Sequence, residues 1–137
     1  MPDETRKVLL FVCEHGAGKS RIAAAWFNAA AIPAWHAVSG AVDPQESLGT
    51  NAPRLLADTL AEPFLDTEAP RRASDVTSAG RTIAIDCAVD GAEAWTLHQS
   101  GFTEALHDEI RALVETLISE LVGEASYLPL DSDRGSI

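Results

Sequence analysis

Lysine is almost missing from this sequence. Lys7 and Lys19 stand against eight arginines and 21 acidic residues, for a formal net charge of −11 over 137 residues. A nucleic-acid site needs clustered Lys and Arg to neutralise phosphates, so this deficit argues against a polyanion partner and confines any anion site to a local patch. A lysine inside a motif is then informative, because it runs against the chain's own preference for arginine. Long apolar runs are missing too. The run at 8–12 stops at Cys13, too short for a signal-peptide core, and no stretch approaches the ~20 apolar residues of a membrane span. The expectations are no membrane contact and a cytoplasmic location. Cysteine is down to two, Cys13 and Cys87. In a chain read as non-secreted these are thiols rather than a structural staple, with a transient redox pair left open.

What is present is ordinary for a globular chain: 46% hydrophobic and 23% charged residues, with no repeats or low-complexity tracts. The length suits one domain and is short for two. The expected division is a single α/β domain over 1–123 and a polar tail over 124–137. "KVLLFVC" (7–13), followed by glycines, reads as a strand buried on both faces of a parallel sheet. From Ser20, apolar positions at three- and four-residue intervals predict a helix running towards Pro33. A second strand is expected over 34–42, a helix opened by Pro53 over 53–62, and a surface connection over 63–80. A third strand over 81–89 and a short fourth over 93–97 follow. The long 3-1-3 pattern from Phe102 to Val122 predicts the strongest helix, capped by Gly123. Strands alternating with helices imply a four-stranded parallel sheet in three layers, with helices on both faces. Ligands then bind beyond the carboxyl ends of the strands.

"CEHGAGKS" (13–20) lies at such an end and can be read in two ways. As C-x5-K-S it is a nucleophile loop. As G-x4-G-K-S with Cys13 in place of the first glycine it is a nucleotide-binding loop, and the Asp closing "IAID" (83–86) would then hold magnesium. In both, backbone N–H groups from Glu14 through His15, Gly16, Ala17 and Gly18 to Lys19 can converge on an anion at a helix N-terminus, where the macrodipole adds partial positive charge. A thiol there loses its proton readily, and Ser20 can donate a hydrogen bond to the thiolate.

The order of C-x5-K-S loop, helix, "VSG" strand, "PRLLADTL" helix, "IAID" strand and a terminal helix carrying "HDEIRALVETL" resembles the low-molecular-weight protein tyrosine phosphatase superfamily, which includes thioredoxin-type arsenate reductases. The resemblance covers roughly residues 7–122. It implies that Cys13 is the nucleophile, that the loop and Lys19 bind phosphate or arsenate, and that no cofactor is needed. Partners would be a small oxyanion or phosphorylated substrate, and a thiol reductant if arsenate is reduced. The expected function is a cysteine-dependent oxyanion-processing enzyme, its alternatives a weakened oxyanion- or phosphoprotein-binding module and a nucleotide binder.

Three departures qualify that expectation. Lys19 stands where the family has Arg, giving a point charge in place of a bidentate fork. Glu14 places a carboxylate beside the nucleophile: turned inward it would pair with Lys19, turned outward it would form a rim with His15. Where the family carries a general acid before Pro, this chain reads "WTLHQS" (95–100), with no Asp-Pro. Loss of such an acid costs ~10²–10⁴ in rate, and His98 is the nearest replacement. The arsenate reductases relay oxidation through further cysteines, for which Cys87 is the single candidate redox partner. Cys13, His15, Cys87 and His98 match no zinc-site spacing, so no metal is expected.

Overall fold

The computed structural model describes residues 7–127. Its apolar runs become strands β1 (Lys7–Cys13), β2 (Trp35–Ala41), β3 (Ala79–Ile85) and β4 (Glu93–Trp95). All pair in parallel in the order β2-β1-β3-β4. The register sets Cys13 opposite Ala41. Three α-helices accompany them: α1 (Lys19–Ala29), α2 (Asn51–Leu56) and α3 (Glu104–Tyr127).

Alternation along the strands sorts their side chains. Leu9, Phe11, Ala37, Ile83 and Ile85 share one core with residues of all three α-helices. There α3 contributes Leu106, Ile110, Val114, Leu117 and Leu121, each stabilising by roughly 1.5–3 kcal/mol relative to exposure. The Phe27 ring meets Phe11 edge-on with centroids 6.4 Å apart. Trp26 of α1 donates its indole N–H to His107 Nε2 of α3 at 3.0 Å, so the buried indole and imidazole satisfy each other. Asn28 closes a two-way bridge to Ala37 of β2, 2.9 Å in each direction. The opposite face has a thinner cover. A 3-10 turn at Ala73–Asp75 lies against Gly40, whose missing Cβ leaves room for the Ala73 backbone. The α/β architecture and the four parallel strands are as expected, with 3-10 structure and loop serving as the second-face layer.

Element ends depart from the sequence reading. The helix expected over 53–62 is only Asn51–Leu56, because Ala57 turns extended and Asp58 takes φ 63°, which breaks the ladder before a 3-10 turn at Glu62–Phe64. The first helix stops at Ala29, since Ala31 enters the left-handed region at φ 56° ahead of Pro33. The third strand begins at Ala79 and ends at Ile85, so Cys87 lies past its end. Gly123 does not cap α3, which continues to Tyr127. A glycine inside a helix costs only about 1 kcal/mol, and Glu124 and Ala125 are adequate helix formers. The expected boundary at 123/124 thus falls inside a helix, and the rest of the tail lies outside the described residues. No helix among those residues is long and apolar enough to cross a membrane.

Candidate active site

In the order 2-1-3-4 the strand order switches from one side of β1 to the other between β2 and β3, and the crevice beyond the carboxyl ends of β1 and β3 is where such sheets bind ligands. Cys13 ends β1 there, and Asp86 follows β3. Cys13, Ala17, Gly18, Lys19, Asp86 and Phe102 line a cavity of about 190 Å³, with Glu14, His15, Gln45 and Asn51 nearer its mouth.

The loop between β1 and α1 is held from outside. The Cys13, Glu14 and His15 carbonyls accept from the amides of Val42, Asp43 and Gln45 at 3.1, 2.7 and 3.3 Å. The Gly16 carbonyl accepts from Arg21 Nε at 2.8 Å. In a planar trans peptide the N–H points opposite to the C=O, so four carbonyls drawn outward direct the amides of residues 14–17 to the other side, that of the cavity. Gly16 makes the reversal at φ 71°. The N-cap of α1, Gly18, has no side chain, and the Ser20 amide of the first turn is directed at the Cys13 sulfur.

Cys13 is only 5% exposed yet lines this cavity. Its sulfur lies 3.1 Å from Ser20 Oγ and accepts from the Ser20 amide at 3.4 Å. Cys87 is half-buried with Sγ 3.6 Å from the Val12 carbonyl, and burial, then the charges of Cys13 and Glu14, push its thiol up. Both cysteines are free thiols.

The remaining expected residues divide. Glu14 and His15 are both exposed on the rim, where His15 Nδ1–H donates to the Asp43 carbonyl at 3.0 Å. Glu14 does not pair with Lys19. That ammonium sits 2.7 Å from Asp86 Oδ2, each side chain 24% exposed. Asp86 takes φ 55° and accepts the Leu97 amide on Oδ1 at 2.8 Å, tying the β3–β4 connection and the segment after β4 to the loop. His98 is not brought to the cavity. Its side chain is 90% exposed and its Nδ1 lies 2.8 Å from Glu109 Oε2 on α3, so the acid expected at this position is turned away. The reason is local: the Glu109 carboxylate also collects the His98 and Gln99 amides, at 2.8 and 3.0 Å.

Those bonds, the His98 amide first, hold the Glu109 carboxyl below its ordinary value. The folded pKa is depressed, so the tether is complete above the ordinary carboxylate value of about 4.3 and is lost as pH falls through the lower folded one. Glu109→Gln is expected to speed amide exchange at His98 and Gln99 by about tenfold at pH 7, as local opening becomes easier. Hydrogen-exchange mass spectrometry checks this, and unchanged protection would show the segment to be held otherwise.

Two residues that the sequence reading passed over complete the site. The Phe102 ring edge lies where a Cβ on Gly18 would be, 2.4 Å from that point, so Gly18 exists to admit the ring. Arg21 is buried beneath the loop, with Nη1 donating to the Asp66 carbonyl and Nη2 without a partner among the described residues. An unpaired buried donor costs ~1–3 kcal/mol, and desolvation pushes this guanidinium below its ordinary value, Asp66 opposing. The available signal was a basic residue in a first helical turn, where the macrodipole disfavours it. Among the described residues no group of three or more His, Cys, Asp or Glu side chains could hold a metal ion.

Solved structures share this fold at low sequence identity. The thioredoxin-dependent arsenate reductase of Corynebacterium glutamicum superposes with a TM-score of 0.66 at 20% identity over 84% of this chain, which spans 61% of that protein, less than two thirds of its length. An arsenate reductase from Archaeoglobus fulgidus gives 0.60 at 27% identity, covering 84% of this chain and 98% of its own. The low-molecular-weight protein tyrosine phosphatase of T. tengcongensis gives 0.62 at 20%, covering 83% and 99%. No protein-family profile and no curated protein sequence matches the chain. The resemblance seen in the C-x5-K-S loop and the element order therefore extends to the whole fold.

Proposed function

From a chain with the low-molecular-weight phosphatase fold, we propose a cysteine-dependent oxyanion-processing enzyme acting on phosphate esters or arsenate, working in the cytoplasm where its thiols stay reduced. The observation that carries this reading is the seat of Cys13: it lines the cavity, its sulfur beside the Ser20 hydroxyl and amide, within a loop whose carbonyls at residues 13–16 are held by Val42, Asp43, Gln45 and Arg21. With an ester, the thiolate attacks phosphorus and an S–P bond forms as the P–O bond to the leaving group breaks. The leaving oxygen takes its proton from water, and a second water then cleaves S–P and releases phosphate. With arsenate, an S–As bond forms as an arsenate oxygen leaves as water. An external thiol then attacks the Cys13 sulfur, the S–As electron pair passes to arsenic, and As(III) departs with a mixed disulfide left behind. Loop amides and Lys19 carry the developing negative charge.

His98 is turned away, and the cavity carboxylate of Asp86 already accepts from Lys19 and Leu97, so neither is free to protonate a leaving group. Substrates with acidic leaving groups, such as p-nitrophenyl phosphate, are therefore favoured over alkyl phosphates. The same facts support a second reading, capture of an oxyanion or phosphorylated partner without turnover. The nucleotide reading has less support, because the Cys13 side chain stands where such a loop has its first glycine.

Iodoacetamide labelling at neutral pH is the test. Cys13 is expected to label first, with phosphate or arsenate slowing it by about tenfold or more, as loop-bound anion shields the sulfur. Cys87, its thiol pushed up by burial, is expected to stay unlabelled. Equal labelling of both thiols, unaffected by either anion, would end the proposal.

A further inference from the structure

Three of the four outward loop carbonyls are held by main-chain amides, and the fourth, that of Gly16, by a side chain, Arg21. That side chain has no solvent exposure, lies in the first turn of α1 against the macrodipole, and leaves Nη2 without a partner among the described residues. Asp66 Oδ1 is 3.6 Å from Arg21 Nη1, while Oδ2 of the same carboxylate is 2.6 Å from Arg71 Nη2. Glu68 reaches Arg71 only at 3.8 Å, from a side chain 83% exposed to water. Two guanidiniums thus share one close carboxylate, with Glu68 as the outer acid of the cluster. In front of the loop, Lys19 is matched by Asp86.

We propose that Arg21 is the positioning residue of the anion loop: its Nε–H fixes the Gly16 peptide so that the next amide faces the cavity, and its buried charge favours an anion there from the rear. This rests on the oxyanion function proposed above and names the group that replaces the missing loop fork. Arg21 touches no substrate in this assignment. It acts through the Gly16 peptide and through the field in the low-dielectric space beneath the loop. Its burial opposite the helix dipole is explained by that work, since an apolar side chain of similar volume would be as good or better for folding alone.

Arg21→Met and Asp66→Asn separate positioning from packing, with phosphate affinity read by isothermal titration calorimetry and Tm by circular dichroism. Arg21→Met is expected to keep Tm near that of the wild type and to weaken phosphate binding by about tenfold or more, the scale of a lost charge-assisted hydrogen bond. Asp66→Asn keeps an acceptor for Arg71 but removes the shared negative charge, so it is expected to tighten phosphate binding severalfold. A cluster that merely held the fold together would give the opposite sign. Phosphate affinity within twofold of wild type in Arg21→Met, or weakened binding in a folded Asp66→Asn protein, overturns the assignment. Should Arg21→Met fail to fold, the sign for Asp66→Asn decides alone. A wild-type protein that binds neither phosphate nor arsenate overturns the oxyanion function and this assignment with it, whereas the variant results bear on Arg21 only.

Discussion

Cys13→Ser is expected to abolish turnover of p-nitrophenyl phosphate and of arsenate, by at least ~10⁴-fold, the scale seen when a nucleophile is removed. Phosphate affinity should stay within about threefold of wild type, because the groups proposed to bind the anion are not the sulfur. The carbonyls of residues 13–16 keep their donors, Val42, Asp43, Gln45 and Arg21, and none of these contacts uses the Cys13 side chain. Only the contact with Ser20 is rewritten, from S···O at 3.1 Å to a hydroxyl pair. A serine hydroxyl is a far weaker nucleophile than a cysteine thiolate at neutral pH. Steady-state kinetics and calorimetry on the same preparation check both halves. Residual turnover above about 1% would remove Cys13 as the nucleophile. Wild-type protein that binds phosphate but turns over nothing would favour the binding reading.

How much of this was legible in the chain depends on the range of the cause. The four strands stand close to where their apolar runs put them, because burial on both faces of a parallel sheet writes itself into consecutive residues. The position of the loop was legible for the same reason: strand, glycines, helix is a local pattern. Helix ends were not. Gly123 looks like a terminator from its neighbours, but stopping a helix needs a left-handed turn or a breaker, and "EASY" offers neither. Conversely α2 ends at Leu56 although "ADTLAE" reads as helix, because Ala57 and Asp58 turn the chain toward Ala61, which is buried against the core.

The site shows the same division. Cys13, Ser20, Lys19 and the rim pair of Glu14 and His15 are close in sequence, and the structure keeps all but Ser20 around one cavity, with Ser20 bonded to the Cys13 sulfur behind it. Residues whose roles depend on distant partners were misread or missed. His98 follows the Trp95 segment in which the resemblance placed an acid, but it is captured by Glu109, eleven residues on. Lys19 was weighed against Glu14, five residues away, and its partner is Asp86, 67 residues away. Arg21 reads as a solvated charge until Asp66 and the Gly16 carbonyl are brought to it.

Gly16→Ala is expected to damage the fold and the loop together. Gly16 takes φ 71°, where an alanine costs about 1–2 kcal/mol. A Cβ there would also lie 2.7 Å from Ala41 Cβ. Ala41 is fully buried, its amide is bonded to the Arg71 carbonyl at 2.9 Å, and its backbone bridges to Arg72, so the end of β2 has little room to withdraw. Overpacking of this kind adds about 1–3 kcal/mol. Together these are a large fraction of the 5–15 kcal/mol that keeps a domain folded, so Tm should fall by about 5–15 °C. The loop, as the softer side of the contact, is expected to move, drawing the Gly16 carbonyl off Arg21 and weakening phosphate binding by about tenfold or more. The two penalties have different cures. Ala41→Gly removes the facing methyl but leaves the backbone conformation, so Gly16→Ala with Ala41→Gly should recover part of the loss, measured against Ala41→Gly alone, with a coupling of about 1–3 kcal/mol. Additivity of the two changes would mean that the Cβ–Cβ conflict is relieved elsewhere, and undiminished phosphate affinity in Gly16→Ala would mean that the anion does not rest on this loop.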